Sequence, residues 1–214
     1  MQLTRFQYAS FLAAAAALAL FSWLAYTVMR GDTKRLDIVT RDAVHSWASP
    51  PLTDAMWITT RLGSPFFVIG VSLIVAWRMA RRGQEREAVL LILLSIGADA
   101  LQALLKPVFQ RERPSAFFGY PDPTSNSFPS GHAVLSICFY VALAAVIAPR
   151  IGSQMKKALV WGAAALMIAL IGFTRIYLGV HYATDVLAGY AAGTVWLAVV
   201  GAIGEIWQHR NAGR

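Results

Sequence analysis

The sequence predicts an all-α, polytopic membrane protein with six transmembrane helices and an interfacial helix in the first external loop. Of its 214 residues 57% are hydrophobic and the mean hydropathy is +0.53, well above the level of a soluble domain of this length. Apolar runs of the length that crosses about 30 Å of hydrocarbon at about 1.5 Å per residue recur along the chain. They fall near 6–29, 64–80, 87–105, 131–149, 157–174 and 186–207. The net charge of +8 is gathered in short segments between those runs, where Lys and Arg set membrane orientation. That placement argues against nucleic acid and for membrane lipids as partners.

The run at 6–29 is too long for the apolar core of a signal peptide. It ends in Tyr26-Thr27-Val28-Met29-Arg30 with no small-x-small cleavage pattern, so it reads as a helix. After it, Leu36, Val39, Ala43 and Trp47 recur at helical spacing, with Asp37, Arg41, Asp42 and His45 on other faces. This is the predicted interfacial helix. Ala48-Ser49-Pro50-Pro51 should stop it, because proline lacks a backbone N–H and holds its predecessor extended. The basic segments 78–87 (Arg78, Arg81, Arg82, Arg86) and 150–157 (Arg150, Lys156, Lys157) are then cytoplasmic, as are both termini. Trp77, Trp161 and Trp207 suit the headgroup layer on that side. Positions 115–127 are expected outside and 81–86 inside. No internal repeat or linker breaks the chain, so residues 1–214 read as one domain. The single Cys138, inside an apolar run, excludes a disulfide framework and a Cys-based zinc site. No His, Cys and carboxylate cluster has metal-ligand spacing, so neither metal nor cofactor is expected.

The orientation rule breaks at the loop after the third span, which carries Lys106, Arg111 and Arg113 on the outer side. Positive charge there implies an anionic ligand. Lys106 is read as the end of the third span, with Pro107 after it. Arg113-Pro114 follows, then Pro129-Ser130-Gly131-His132 opens the fourth span, and Thr174-Arg175, His181 and Asp185 link the fifth and sixth. Arg113 and Arg175 offer planar forks for phosphate oxygens, and Lys106 a compact charge. Ser130 and Gly131 stand where backbone amides and the positive helix end can hold an anion, and glycine permits close approach. Three cations against the single carboxylate Asp185 leave about two positive charges, which match a phosphate group of roughly −1.5 to −2. His181 and Asp185 are four residues apart and share a face if this stretch is helical, so the carboxylate can hold one ring nitrogen while the other attacks. His132, from another helix, can protonate the leaving oxygen and later activate water.

Lys106 with six residues before Arg113-Pro114, then Pro129-Ser130-Gly131-His132, then Thr174-Arg175, His181 and Asp185, together resemble the three-part signature of the type 2 phosphatidic acid phosphatase family. The motifs occupy 106–185, and the six-helix pattern extends the resemblance over nearly the whole chain. Thr174 departs from the family's usual serine but keeps a hydroxyl. The resemblance implies a metal-independent lipid phosphatase. Lys106, Arg113, Ser130, Gly131 and Arg175 would hold the phosphate, and His181, His132 and Asp185 would carry the chemistry. It also implies undecaprenyl diphosphate, phosphatidylglycerol phosphate or phosphatidic acid as substrate. An outward-facing site suits the first of these, in recycling of a polyprenyl carrier. A phosphotransferase passing the phosphate to another lipid is the related alternative.

Single residues also have plainer readings. Arg111 reads equally as an interfacial anchor that snorkels. Asp99 and Gln102 lie within the third span, with Asp99 two turns before Lys106, as an inward partner or as hydrogen-bonded packing. Glu205 is placed near the cytoplasmic interface, away from the site. A transporter would concentrate polar groups at the bilayer midplane, whereas here they gather at one end. A soluble haloperoxidase using vanadate could share the motifs, but six spans argue against it.

Overall fold

The computed structural model describes residues 5–119 and 124–212; positions 120–123, within the segment expected outside, lie beyond the described residues. No strand occurs among the described residues, which fold mainly into the helices α1 (Arg5–Arg30), α2 (Lys34–His45), α3 (Pro50–Arg61), α4 (Pro65–Ala80), α5 (Glu85–Phe109), α6 (Gly131–Ile147), α7 (Gln154–Tyr177) and α8 (Ala183–Ala212). Five of these are long and apolar enough to cross a membrane.

The sixth crossing differs from the sequence reading. Helix α4 has 16 residues, or about 24 Å at 1.5 Å per residue, short of the hydrocarbon thickness. Helix α3 precedes it across a short break with a bend of 47°, and only the pair is long enough to span. The prolines that end the interfacial helix also start α3. At the first helical turn a fixed φ is already helical and the missing N–H has no partner to lose. Helix α5 likewise runs past Lys106 and Pro107 to Phe109, and ends at Gln110 in the left-handed conformation.

Helix α6 is the axis of the bundle and packs against α5, α7 and α8. Its Val134, Leu135, Cys138 and Phe139 form a buried core with Val68, Ala98 and Ala192. Gly189 and Gly193, one turn apart on α8, let that helix lie against the start of α6. A Cβ on Gly189 would fall 2.6 Å from the Ser130 carbonyl oxygen. Small residues four apart are a usual means of close helix contact in lipid, where no hydrophobic drive joins helices. Between α4 and α5 the buried hydroxyls of Ser72 and Ser95 are 2.7 Å apart.

The helix ends sort into two groups. At one end Gln7 donates to Glu205 at 2.9 Å and Arg86 to the Gly204 carbonyl at 2.6 Å, while Arg150 reaches Gln84 at 3.1 Å. Glu205 thus sits at the end opposite the predicted site. Helix α2 lies at the other end. Its predicted apolar stripe exists but is turned outward, with Leu36, Val39, Ala43 and Trp47 all exposed. Asp37, Val44 and in part Arg41 and His45 face the protein instead. Beside a bilayer this is favourable, because lipid accepts apolar side chains that water would not.

Candidate active site

Helix α7 ends in a turn that sets the position of His181. Gly179, at φ +73, occupies the left-handed position after the last helical turn, where glycine carries no Cβ penalty. The Val180 amide donates to the Arg175 carbonyl at 3.2 Å and the Gly179 amide to Ile176 at 3.0 Å, the paired bonds of a Schellman motif. A Cβ at Gly179 would meet Phe117. The chain then turns into α8, where the Asp185 side chain accepts the Tyr182 amide at 2.9 Å. This is half of a capping box at the helix start. Residues 178–182 are therefore not helical. The His181–Asp185 pairing anticipated on one helix face is made across this turn.

His181 is 2% exposed and Asp185 fully buried. His181 Nδ1 is 3.5 Å from Asp185 Oδ2 and 3.3 Å from Ser127 Oγ, which itself donates to Asp185 Oδ2 at 2.5 Å. The other nitrogen, Nε2, meets Arg113 at 3.0 Å. A guanidinium can only donate, so Nε2 is the acceptor and the ring proton sits on Nδ1, facing Ser127 and Asp185. Burial pushes the imidazole pKa down to about 3, against the pull of Asp185 and with the help of Arg113 and Arg175. The ring is neutral near pH 7, with its Nε2 lone pair directed at the cationic groups.

Those groups come from separate segments. Arg113 also donates to the Val180 carbonyl at 2.8 Å and to Ser125 at 2.6 Å, which ties the loop before α6 to the turn before α8. Lys106 donates to Ser125 Oγ at 3.0 Å, beside a cleft of about 290 Å³ lined by Gln102, Lys106 and Asn126 among others. Arg175, 2% exposed, donates to Thr60 of α3 at 2.6 Å. Arg175, His181, Lys106 and Arg113 all act electrostatically on His132. Thr174, where the family signature has serine, spends its hydroxyl on the Ile171 carbonyl at 2.6 Å. Asp99 accepts from Gln102 at 3.0 Å and is close enough to act on Lys106.

Ser130 precedes α6 in extended conformation, as a helix cap should, yet its side chain makes no cap bond. Its buried Oγ has no hydrogen-bond partner among the described residues. Gly131 follows, and a Cβ there would lie 2.8 Å from Gln102 Oε1. Glycine thus lets Gln102 approach the start of α6, whose first amides have no acceptor within the helix, with the Ser130 hydroxyl beside them.

The structure corrects the anchor reading of Arg111. Its side chain is 14% exposed and bridges two buried carboxylates, Asp37 at 2.6 Å and Asp185 at 2.5 Å, with its guanidinium over the Tyr182 ring. Burial alone would lower the pKa of Arg111, but its ion pairs with Asp185 and Asp37 raise it. Its place in a loop expected outside, where basic residues are disfavoured, was the available signal. Nothing in the sequence pointed to Asp37, Ser127 or Thr60.

The fold and this cluster define a helical membrane protein with basic side chains, two histidines and buried carboxylates gathered at one end of the bundle. The chain belongs to the PAP2 superfamily, whose family model matches residues 87–206. Members of that family are phosphatases acting on lipid phosphates and diphosphates. It is 33% identical over 153 residues to phosphatidylglycerophosphatase B of Bacillus subtilis, covering 71% of this chain and 74% of that protein. An undecaprenyl-diphosphatase of Sulfolobus acidocaldarius is 28% identical over 130 residues, which cover 61% of this chain and 52% of that protein. A crystal structure of a transmembrane PAP2-type phosphatidylglycerolphosphate phosphatase from Bacillus subtilis superposes with a TM-score of 0.82 at 27% identity, covering 90% of this chain and 96% of that one.

Proposed function

We propose that this single-domain membrane enzyme removes the terminal phosphate of a lipid phosphate through a phosphohistidine on His181. One observation carries the reading: Nε2 of a buried, neutral His181 faces Arg113 at 3.0 Å, while its protonated Nδ1 faces Ser127 and Asp185. In the first step Nε2 attacks phosphorus and the bond from phosphorus to the lipid oxygen breaks. His132, whose protonated form the bound phosphate dianion favours, gives that oxygen a proton. In the second step water attacks phosphorus, His132 takes its proton, and the N–P bond breaks to release inorganic phosphate. Lys106, Arg113, Arg175, the Ser130 hydroxyl and the Gly131 amide hold the phosphoryl oxygens as charge builds on them. The Asp185 carboxylate stabilises the positive imidazole ring of the intermediate. No step calls for a metal.

Phosphatidylglycerol phosphate is the favoured substrate, supported by the relative that matches over 74% of its length; undecaprenyl diphosphate, which suits an outward site, ranks second. The site is assigned to the outer face of the plasma membrane, with the termini cytoplasmic, because the basic segments 78–87 and 150–157 lie at the opposite end. Rapid quench with a labelled, activated phosphate ester tests the chemistry. Acid-labile, base-stable label should accumulate on a His132→Ala variant and be absent from His181→Ala. Label that survives removal of His181 overturns the scheme. Phosphate release from a panel of lipid phosphates in excess chelator, with vanadate as inhibitor, tests substrate and metal independence together.

A further inference from the structure

We propose that Asp37 is a positioning residue of the reaction: through Arg111 it orients the Asp185 carboxylate and keeps its charge available to His181. The inference rests on the reading of His181 as the nucleophile. Asp37 belongs to helix α2, outside the segments that carry the phosphate-site motifs, and is fully buried. Both its oxygens are engaged. Oδ1 accepts the Thr184 amide at 3.1 Å, Oδ2 accepts Arg111 at 2.6 Å, and the Thr184 hydroxyl lies 3.0 and 2.8 Å from the two. The other guanidinium nitrogen of Arg111 donates to Asp185 Oδ1 at 2.5 Å and to Thr184 Oγ1 at 2.8 Å. With Oδ1 pinned, Oδ2 of Asp185 is left to Ser127, the Tyr182 amide and His181.

The charge count explains why a carboxylate stands at 37. Phosphorylation of Nε2 leaves a positive ring with a proton on Nδ1, which Asp185 stabilises only if its own charge is not cancelled. Arg111 alone beside Asp185 would cancel it. Asp37 balances Arg111, so that the guanidinium orients Asp185 while the Asp37–Arg111 pair adds no net charge. A neutral acceptor at 37 could satisfy Thr184 equally well but could not do this. A buried charge without such a partner is costly, so packing alone gives no reason to keep one here.

The test uses the full chain in detergent micelles with a short-chain lipid phosphate, reading kcat, KM, vanadate inhibition and thermal midpoint. Asp37→Asn keeps the shape and an acceptor for Thr184 but removes the charge. Its kcat should fall by about 10- to 100-fold, the usual effect of losing a partner that orients a reacting group. KM and vanadate inhibition should stay within about threefold, because the phosphate cradle is untouched. Arg111→Gln, which removes the guanidinium that pins Asp185, should lower kcat by a similar factor with KM unchanged, and Asp37→Asn/Arg111→Gln should cost less than the two losses multiplied, since both act through one chain of contacts. Thr184→Val, which removes only the hydroxyl, should lower kcat by at least about threefold with KM unchanged; it decides the matter if Asp37→Asn does not fold. A folded Asp37→Asn with wild-type kcat overturns the proposal, as does a loss that appears equally in KM, or a wild-type Thr184→Val when Asp37→Asn is unfolded. His181→Ala separates the two readings. If it is inactive while Asp37→Asn is normal, only this proposal falls; if it still turns over, the nucleophile assignment falls with it.

Discussion

The two ends of the helical bundle use the same residue type in opposite ways. At the end that holds Arg86 and Arg150, arginines reach carbonyl and amide oxygens of neighbouring helix ends, and the ion pair of Arg86 with Glu87 is long, at 3.9 Å, and partly exposed. At the other end Arg111, Arg113 and Arg175 converge on a buried histidine and two buried carboxylates. Solvent screens the first group, so each contact there is worth little. The second group lies in a low-dielectric interior, where an uncompensated charge is costly and a paired one is held in place. Burial, rather than the presence of arginine, separates the proposed site from the opposite end of the bundle.

That contrast can be broken most directly at the two extremes. His181→Ala should lower kcat by at least about 10⁴-fold, as losses of nucleophiles do, whereas Arg86→Ala should stay within about twofold of wild type. Equal losses in phosphate-release assays would erase the distinction between the ends. Next in size, Arg175→Lys should cost about 10²- to 10³-fold in kcat, the scale of one lost transition-state donor, because an ammonium cannot reproduce a planar fork. Arg150→Lys should be silent in the same assay.

The buried histidine also makes stability depend on pH. Its folded pKa of about 3 lies below the ordinary value of 6.5, so between those limits the unfolded chain binds the extra proton. Stability is then fully present above about pH 6.5 and falls as the pH drops towards 3. Thermal midpoints in detergent should trace that slope, and His181→Gln should flatten it; an unchanged slope would show that other groups set it. The smallest expected effects concern packing. Gly189→Ala, forced against the Ser130 carbonyl, should destabilise by about 1–3 kcal/mol and lower activity by displacing the start of α6. Gly162→Ala, which meets nothing within 4 Å, should be neutral or stabilising by up to about 1 kcal/mol, as expected for an exposed helix position. Denaturation of the two variants side by side checks this.

Most of the membrane helices were legible because a run of about 20 apolar residues has few alternatives. The run over 64–80 matches α4, which is too short to cross alone; the α3 that it needs carries Thr53, Asp54, Thr59 and Thr60, which dilute the apolar signal. The motif residues were legible as types and spacings, but their contacts were not. Ser127 looked like any loop serine, and Arg111 like any anchor at a helix end. Asp37 lies 74 residues from Arg111 and 147 from Thr184, and no local pattern records a pairing over such separations.

The sequence by itself determined that the chain lives in a membrane, where its long helices lie, and which three segments bring basic and histidine side chains to one place. Length, hydropathy and side-chain type are properties of consecutive residues. The tertiary structure decided which stripe of α2 faces inward, that Arg111 is spent on two carboxylates, and that a turn rather than a helix brings His181 to Asp185. Periodicity shows which residues share a face. Which face turns inward depends on the medium outside, and a bilayer reverses the choice that water would make for α2.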